Sequence, residues 1–244
     1  MSDLAGMSCA RCGALLTMRP RAPLCPACLL TTALTIDGDV DRGTGDPALD
    51  LPYDIVTILA RGDRSVTYLA QPRGSSRRVS LAIAGPCDVG GILSRFARWK
   101  HALEEARHPH SSQLLDVGAS ADDCVYVASE YVAGAPLDAA IRRGTLTEGQ
   151  RTHVMRQIAD ALVAAHEHGV AHMKLDATRI KIASGCETQA VLLGLGMRLV
   201  VDGDEADLAR DVGSLVRLGH DLGVNLRPAY VSAAAVRADL AGGI

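Results

Sequence analysis

Hydrophobic and polar positions along the chain fall into two regimes. From Tyr53, apolar and β-branched residues come in short runs. "YDIVTIL" and "SVTYLAQ" are separated by "ARGDR", a hairpin pattern, and "RRVSLAIA" adds a third run. A longer stretch then places Ile92, Phe96, Trp99, Leu103 and Ala106 on one helical stripe, stopping before His108-Pro109. "QLLDVGA" and "CVYVASEYV" are two further strand patterns. Five strands and one helix are thus predicted by residue 132.

Beyond that point the period lengthens to that of helices. Thr147 and Gln150 stand three apart ahead of an apolar-periodic run, the signature of a capping box. The helix it opens carries Val154, Ile158, Leu162 and Ala165 on its inner face and ends at Gly169. Short apolar pieces follow at "RIKIA" and "AVLLGLG". A helix is predicted from about Asp204 to Leu222, with Leu208, Val212, Leu215 and Leu222 inward and an acidic first turn that suits the helix dipole. A last helix is predicted over 229–241.

Composition bounds the partners. The chain has 244 residues, 48% hydrophobic, with a net charge of −3, so no global charge favours nucleic acid or an anionic membrane. No window reaches the roughly 20 apolar residues of a membrane span, and the start has no signal-peptide pattern, so a soluble cytoplasmic chain is expected. Lysine is scarce: Lys100, Lys174 and Lys181 are the only three.

Four of the seven cysteines lie in "CARCGALLTMRPRAPLCPACLL" as Cys9-x2-Cys12 and Cys25-x2-Cys28. Two such turns offer the four thiolates that tetrahedral zinc prefers, with no open position for water, so the metal would be structural Zn(II). Too few apolar residues surround them to form a core, so zinc would supply the folding energy. Cys87, Cys124 and Cys186 are scattered and read as small hydrophobes. The predicted organisation is a zinc-ribbon-like segment over 1–30, a linker over 31–52 rich in Asp, Gly and Thr, and a larger domain over 53–244.

The order of elements in that domain, together with "YDIVTILARGDRSVTYLAQ", "HPHSSQLLDVG", "VASEYVAGAPLDAAI" and "QIADALVAAHEHGVAHMKL", resembles bacterial Ser/Thr protein kinases, some of which also carry a zinc ribbon ahead of the kinase domain. The resemblance covers roughly Tyr53 to Leu222. It implies an α+β, two-lobed protein-kinase-like fold: a five-stranded sheet plus one helix over about 53–132, then a helical lobe over about 133–244. That lobe looks shortened, and a shortened lobe would leave an apolar flank of the 204–222 helix exposed unless "NLRPAYVSAAAVRADLAGGI" or a partner covers it.

Laid on the family's catalytic pattern, the chemistry-bearing positions differ one after another. The glycine-rich loop falls on Ala60, Gly62 and Ser65, with one glycine kept. The phosphate-anchoring lysine falls on Ala82, and its glutamate partner on Trp99, a small residue opposite a large one. The loop His-Arg-Asp-Leu-Lys-x-x-Asn reads His172-Met173-Lys174-Leu175-Asp176-Ala177-Thr178-Arg179. Lys174 stands at the base, Asp176 at the phosphate-contacting lysine and Arg179 at the metal-binding asparagine. The Lys174/Asp176 exchange could keep a local ion pair, but an ammonium accepts no proton at neutral pH. Gly194-Leu195-Gly196 stands where Asp-Phe-Gly would, so the principal metal carboxylate is Gly194. Lys181 stands under the adenine ring. What the resemblance keeps is architectural: His172, the buried aspartate position at Asp211, and Leu103 and Leu195, which with His172 could form a hydrophobic spine.

Three readings follow. The first is a pseudokinase, not an enzyme: a kinase-like scaffold or regulator that binds another protein, an active kinase being one candidate, with an empty nucleotide cleft and neither ATP nor Mg(II) expected as cofactor. The second is an atypical Ser/Thr kinase or nucleotide-binding protein using carboxylates such as Asp63, Glu130 or Asp176 for ATP-dependent phosphoryl transfer. The third is a zinc-ribbon adaptor touching nucleic acid through Arg11, Arg19 and Arg21, where the modest charge and lack of aromatics argue against it.

Overall fold

A computed structural model describes residues 51–61, 65–84, 87–120, 124–183, 188–227 and 229–242. The cysteine pairs Cys9/Cys12 and Cys25/Cys28, the loop residues Gly62 and Asp63, and Cys186 lie outside the described residues.

The five predicted strands form one antiparallel sheet. β1 (Tyr53–Arg61), β2 (Ser65–Pro72), β3 (Val79–Ala84), β4 (Leu114–Ala119) and β5 (Val125–Glu130) lie in the order β1-β2-β3-β5-β4. Strict alternation in β3 sends Val79, Leu81 and Ile83 into the core and leaves Ser80, Ala82 and Ala84 half-exposed on the other face. The sheet curls enough for its two edges to meet. The Tyr53 hydroxyl on β1 and the Tyr126 hydroxyl on β5 both donate to Asp116 Oδ2 on β4, at 3.1 and 3.2 Å. The two rings meet edge to face at 5.5 Å. Gly118 makes room for this bracket, since a Cβ there would lie 2.3 Å from the Tyr126 hydroxyl oxygen.

α1 (Val89–Glu105) crosses between β3 and β4, capped by the Asp88 carboxylate, which accepts from the Gly91 amide. Of its predicted stripe, Ile92, Leu103 and Ala106 are buried and Phe96 and Trp99 are half-buried. They join Val117, Val127, Leu195, Leu199 and Val200 in a core that links the sheet to the helical half.

The helical half is built on α3 (Glu148–Glu167), reached through β6 (Gly134–Pro136) and α2 (Leu137–Arg143). The capping box is present: Thr147 Oγ accepts from the Gln150 amide, and the Gln150 side chain accepts from the Thr147 amide. Val154, Ile158, Leu162 and Ala165 have no exposed surface. β7 (Ile180–Ala183) pairs with β6 on one side and with β8 (Gln189–Leu192) on the other in a small second sheet. α4 (Leu208–Asp221) and α5 (Ala233–Gly242) complete the layer.

Two helix starts and one added turn differ from the sequence reading. α4 begins at Leu208, not near Asp204, because Asp207 caps it by accepting from the Arg210 amide, while Asp204 is held by Arg198. Ahead of it, Arg198–Asp202 forms a π-helical turn that apolar periodicity did not signal, closed by Gly203 at φ 73°. α5 starts at Ala233, where the Ser232 hydroxyl accepts from the Ala235 amide. The apolar flank of α4 is not left exposed: Leu226, Val236 and Leu240 pack with Val212, Leu215, Val216 and Leu218 in one core.

Candidate functional site

Three backbone segments meet below the sheet: the loop 172–179, the turn 193–196 and the start of α4. Asp211, in the first turn of α4, is fully buried. Its Oδ2 accepts from the His172 amide at 2.6 Å and its Oδ1 from the Met173 amide at 2.7 Å. His166 Nε2 adds a third contact to Oδ2 at 3.2 Å. A carboxylate is buried without penalty only when its lone pairs are filled in this way. The grip explains why Met173, a non-glycine residue, holds φ 67°. Such a conformation costs about 1–3 kcal/mol and persists where the surroundings enforce it. The Met173 side chain turns into the core, and its sulfur accepts from the Asp207 amide at 3.2 Å.

His172 is 2% exposed. Its Nε2 sits 2.9 Å from the Leu193 carbonyl, and its Nδ1 accepts from the Lys174 amide at 3.2 Å. Donor at Nε2 and acceptor at Nδ1 define the neutral imidazole. Burial drives its pKa below the ordinary value, reinforced by the Arg179 charge and opposed by the Leu193 bond, Asp211 and Asp176.

Lys174 is exposed and Asp176 half-exposed, and they do not form the ion pair anticipated from their exchange. Asp176 is spent instead on a cap: its Oδ1 accepts from the Thr178 amide at 2.8 Å and from the Thr178 hydroxyl, ordering the 3-10 turn Ala177–Arg179. Arg179 is exposed, and its carbonyl accepts from the Leu193 amide at 2.7 Å. Lys181, two residues on, is half-buried. Its Nζ donates to the Val132 carbonyl at 2.9 Å and lies 5.3 Å from the centre of the Tyr131 ring. Burial lowers its pKa.

Gly194 and Gly196 take φ 82° and 72°. A Cβ on Gly196 would lie 2.3 Å from Leu103 Cδ2, so glycine there lets the turn close on α1. Leu103 and Leu195 share a core cluster, and His172 is fixed beside it through Leu193. The structure therefore brings His172, Asp211, Leu103 and Leu195 together. Trp99 is half-buried against the core that α1 shares with the helical half, and Ala82 is half-exposed on β3. Ala60 and Ser65, at the ends of β1 and β2, flank the undescribed loop tip.

The chemistry of the donors does not suit Mg(II). A hard dication needs several oxygen ligands, and the two positions to which the resemblance assigns them hold Arg179 and Gly194. Among the described residues, no group of three His, Cys, Asp or Glu side chains is placed to hold a metal.

One participant was missed. Arg95, one turn before Trp99, donates from Nε to the Val200 carbonyl at 2.8 Å and from Nη2 to the Val201 carbonyl at 3.0 Å. It clasps α1 to the π-helical turn. Its i, i+4 spacing to Trp99 was the available signal.

These features define a protein-kinase-like fold: a five-stranded antiparallel sheet with one helix, above a helical lobe. No protein-family model matches the sequence. The chain is similar to the serine/threonine-protein kinase pkn2 of Myxococcus xanthus, 27% identical over 169 residues, covering 68% of this chain and 20% of that protein. It is also similar to pkn3 of the same organism, 30% identical over 147 residues, covering 59% and 27%. The chain thus spans between a fifth and about a quarter of the length of these curated relatives. In structure it is similar to the PknI kinase domain of M. tuberculosis, with a TM-score of 0.59, 20% identity, and 82% and 86% of the two chains covered. The relatives are named as kinases, which points to an enzyme. This overturns the expectation that the chain is not an enzyme, an expectation that rested on side-chain identities alone.

Proposed function

We propose that this chain acts as a kinase-like scaffold that engages another protein. One observation carries the reading: the architecture around Asp211 is built in full, with both loop amides, His166 and the Leu103–Leu195 core in place. A frame so completely satisfied presents a defined surface for a partner, and a kinase is the first candidate partner. The test is affinity capture with the full chain. Capture of a kinase should persist when Lys174 and Arg179 are both changed to alanine and be lost with Asp211→Ala. Capture that follows the exposed cleft residues and ignores Asp211 would overturn it.

A second reading is ATP-dependent phosphoryl transfer by an atypical Ser/Thr kinase, favoured by the names of the relatives. The groups available at the loop are then Lys174, Asp176 and Arg179. Incorporation of labelled phosphate from ATP into a generic Ser/Thr substrate, lost in Arg179→Ala, would put this reading first.

A further inference from the structure

One cavity opens beside the core that links the sheet to the helical half. Its volume is about 270 Å³, and it is lined by the end of α1, by the connection from α1 to β4 and by Leu195. Its floor is apolar: Leu103, Ala106, Leu114 and Leu195. Its rim is polar: Arg107, His108, Ser112, Gln113 and Glu130. The volume lies at the small end of ligand pockets, so the occupant is smaller than a drug-sized molecule.

The rim is rich in donors that lack acceptors. Arg107 is exposed, and its guanidinium makes no ion pair or hydrogen bond among the described residues. Ser112 is 4% exposed. Its amide donates to the Leu192 carbonyl at 2.8 Å, and its hydroxyl has no partner among the described residues. Gln113 spends both backbone groups on Glu130, and its side-chain amide makes no bond among the described residues. His108 Nδ1 accepts from the His110 amide at 3.3 Å, and burial lowers the pKa of the ring, so the neutral imidazole carries its proton on Nε2. The one carboxylate, Glu130, is already answered: Oε1 accepts from Arg77 at 2.9 Å and Oε2 from the Gln113 amide at 3.2 Å. A nearly buried hydroxyl without a partner is costly, and a ligand that brings an acceptor relieves that cost. An arginine fork matches a carboxylate. With a single unpaired cation on the rim and Glu130 beside it, a monoanion suits the site better than a phosphate.

We propose that this cavity binds a small apolar monocarboxylic acid, its carboxylate on Arg107 and the Ser112 hydroxyl and its hydrocarbon body on Leu103, Ala106, Leu114 and Leu195. The site goes beyond the scaffold reading and does not depend on it. Leu103 and Leu195 also belong to the core that links the sheet to the helical half, so the ligand sits against that joint.

The test is a titration of the full chain with cyclohexylacetate, read by calorimetry and by the emission of Trp99. Trp99 is the single tryptophan and packs on the same core as Leu103, Ala106 and Leu195. Two further probes are cyclohexylacetamide, which keeps the body and loses the charge, and glutarate, which keeps the carboxylate and loses the apolar body. Expected is saturable binding of cyclohexylacetate with a change in emission, and binding of the other two weaker by about tenfold, the loss typical of a charge-assisted hydrogen bond or a few buried methylenes. Arg107→Gln should weaken the acid by about tenfold and leave the amide unchanged. Ser112→Ala should weaken the acid by a smaller factor. Both variants should keep the melting temperature, because neither side chain has a partner to lose. Equal affinity for acid and amide would overturn the carboxylate assignment. Acid binding that Arg107→Gln leaves unchanged would overturn the site. Glutarate bound as tightly as cyclohexylacetate would overturn the apolar body. Neither heat nor an emission change from cyclohexylacetate at about 10 mM would overturn the proposal outright.

Discussion

Asp211 Oδ1 accepts the amide of Met173 at 2.7 Å, and Met173 is the sole non-glycine residue at positive φ among those described. One buried carboxylate therefore holds a strained loop from a helix 38 residues away. Asp211→Ala should cost about 3–5 kcal/mol, because it strips two charge-assisted bonds and leaves the strain unopposed. Asp211→Asn keeps one acceptor and should cost clearly less. Urea denaturation of both variants checks the ordering, and equal losses would mean the carboxylate is not the anchor.

Gly196 and Gly169 separate strain from crowding. Both have positive φ, but a Cβ on Gly169 meets nothing within 4 Å, while one on Gly196 strikes Leu103. Gly169→Ala should lose about 1 kcal/mol from the left-handed conformation alone. Gly196→Ala should lose about 2–4 kcal/mol, since overpacking adds to the strain. Equilibrium unfolding decides, and similar losses at the two sites would refute the close packing of the turn on α1.

His172 makes stability sensitive to acid. Its folded pKa lies below the ordinary 6.5 because of burial, so below pH 6.5 the unfolded chain takes up a proton that the folded chain refuses. The contribution is present above pH 6.5 and is lost as the pH falls toward the depressed folded value. His108, also lowered mainly by burial, acts with the same sign. Melting temperature should drop between pH 7 and 5, and His172→Asn should flatten that drop even though it lowers stability at pH 7. An unchanged slope would place the titration elsewhere.

Tyr126 sets the alkaline limb. Burial first, then Asp116, raises its pKa to about 12, and Tyr53 is raised by the same causes. The folded state keeps protons that the unfolded chain sheds above pH 10, so stability should fall from there toward pH 12. Tyr126→Phe should make that fall shallower in a pH series of unfolding curves. An unaltered alkaline limb would argue against the Tyr53–Asp116–Tyr126 bracket.

The four cysteines carry a prediction from spacing alone. Elemental analysis of the purified chain should find one zinc per molecule, and Cys9→Ser/Cys25→Ser should lose it. Metal-free protein with all four thiols titratable would remove zinc from the account.

What the sequence determined by itself was the succession of local elements, because each is written in short-range chemistry. Alternating Val79, Leu81 and Ile83 specify a strand, Thr147 with Gln150 a capped helix start, and Gly169 a stop. The positions of His172, Lys174, Arg179 and Asp211 were legible from their spacing against the kinase pattern that the chain resembles, yet their partners were not. Asp176 looked like an ion-pair partner for Lys174, but a hydroxyl two residues away is nearer than a solvated ammonium, and it became a cap. Asp204 looked like the start of a helix until Arg198 took it. Arg95 with Val200, Lys181 with Val132, and Tyr53 with Asp116 lie between 49 and 105 residues apart. Only the tertiary structure could decide these pairs. Each depends on two distant elements arriving at one place, where burial makes a polar group accept whichever partner the packing supplies.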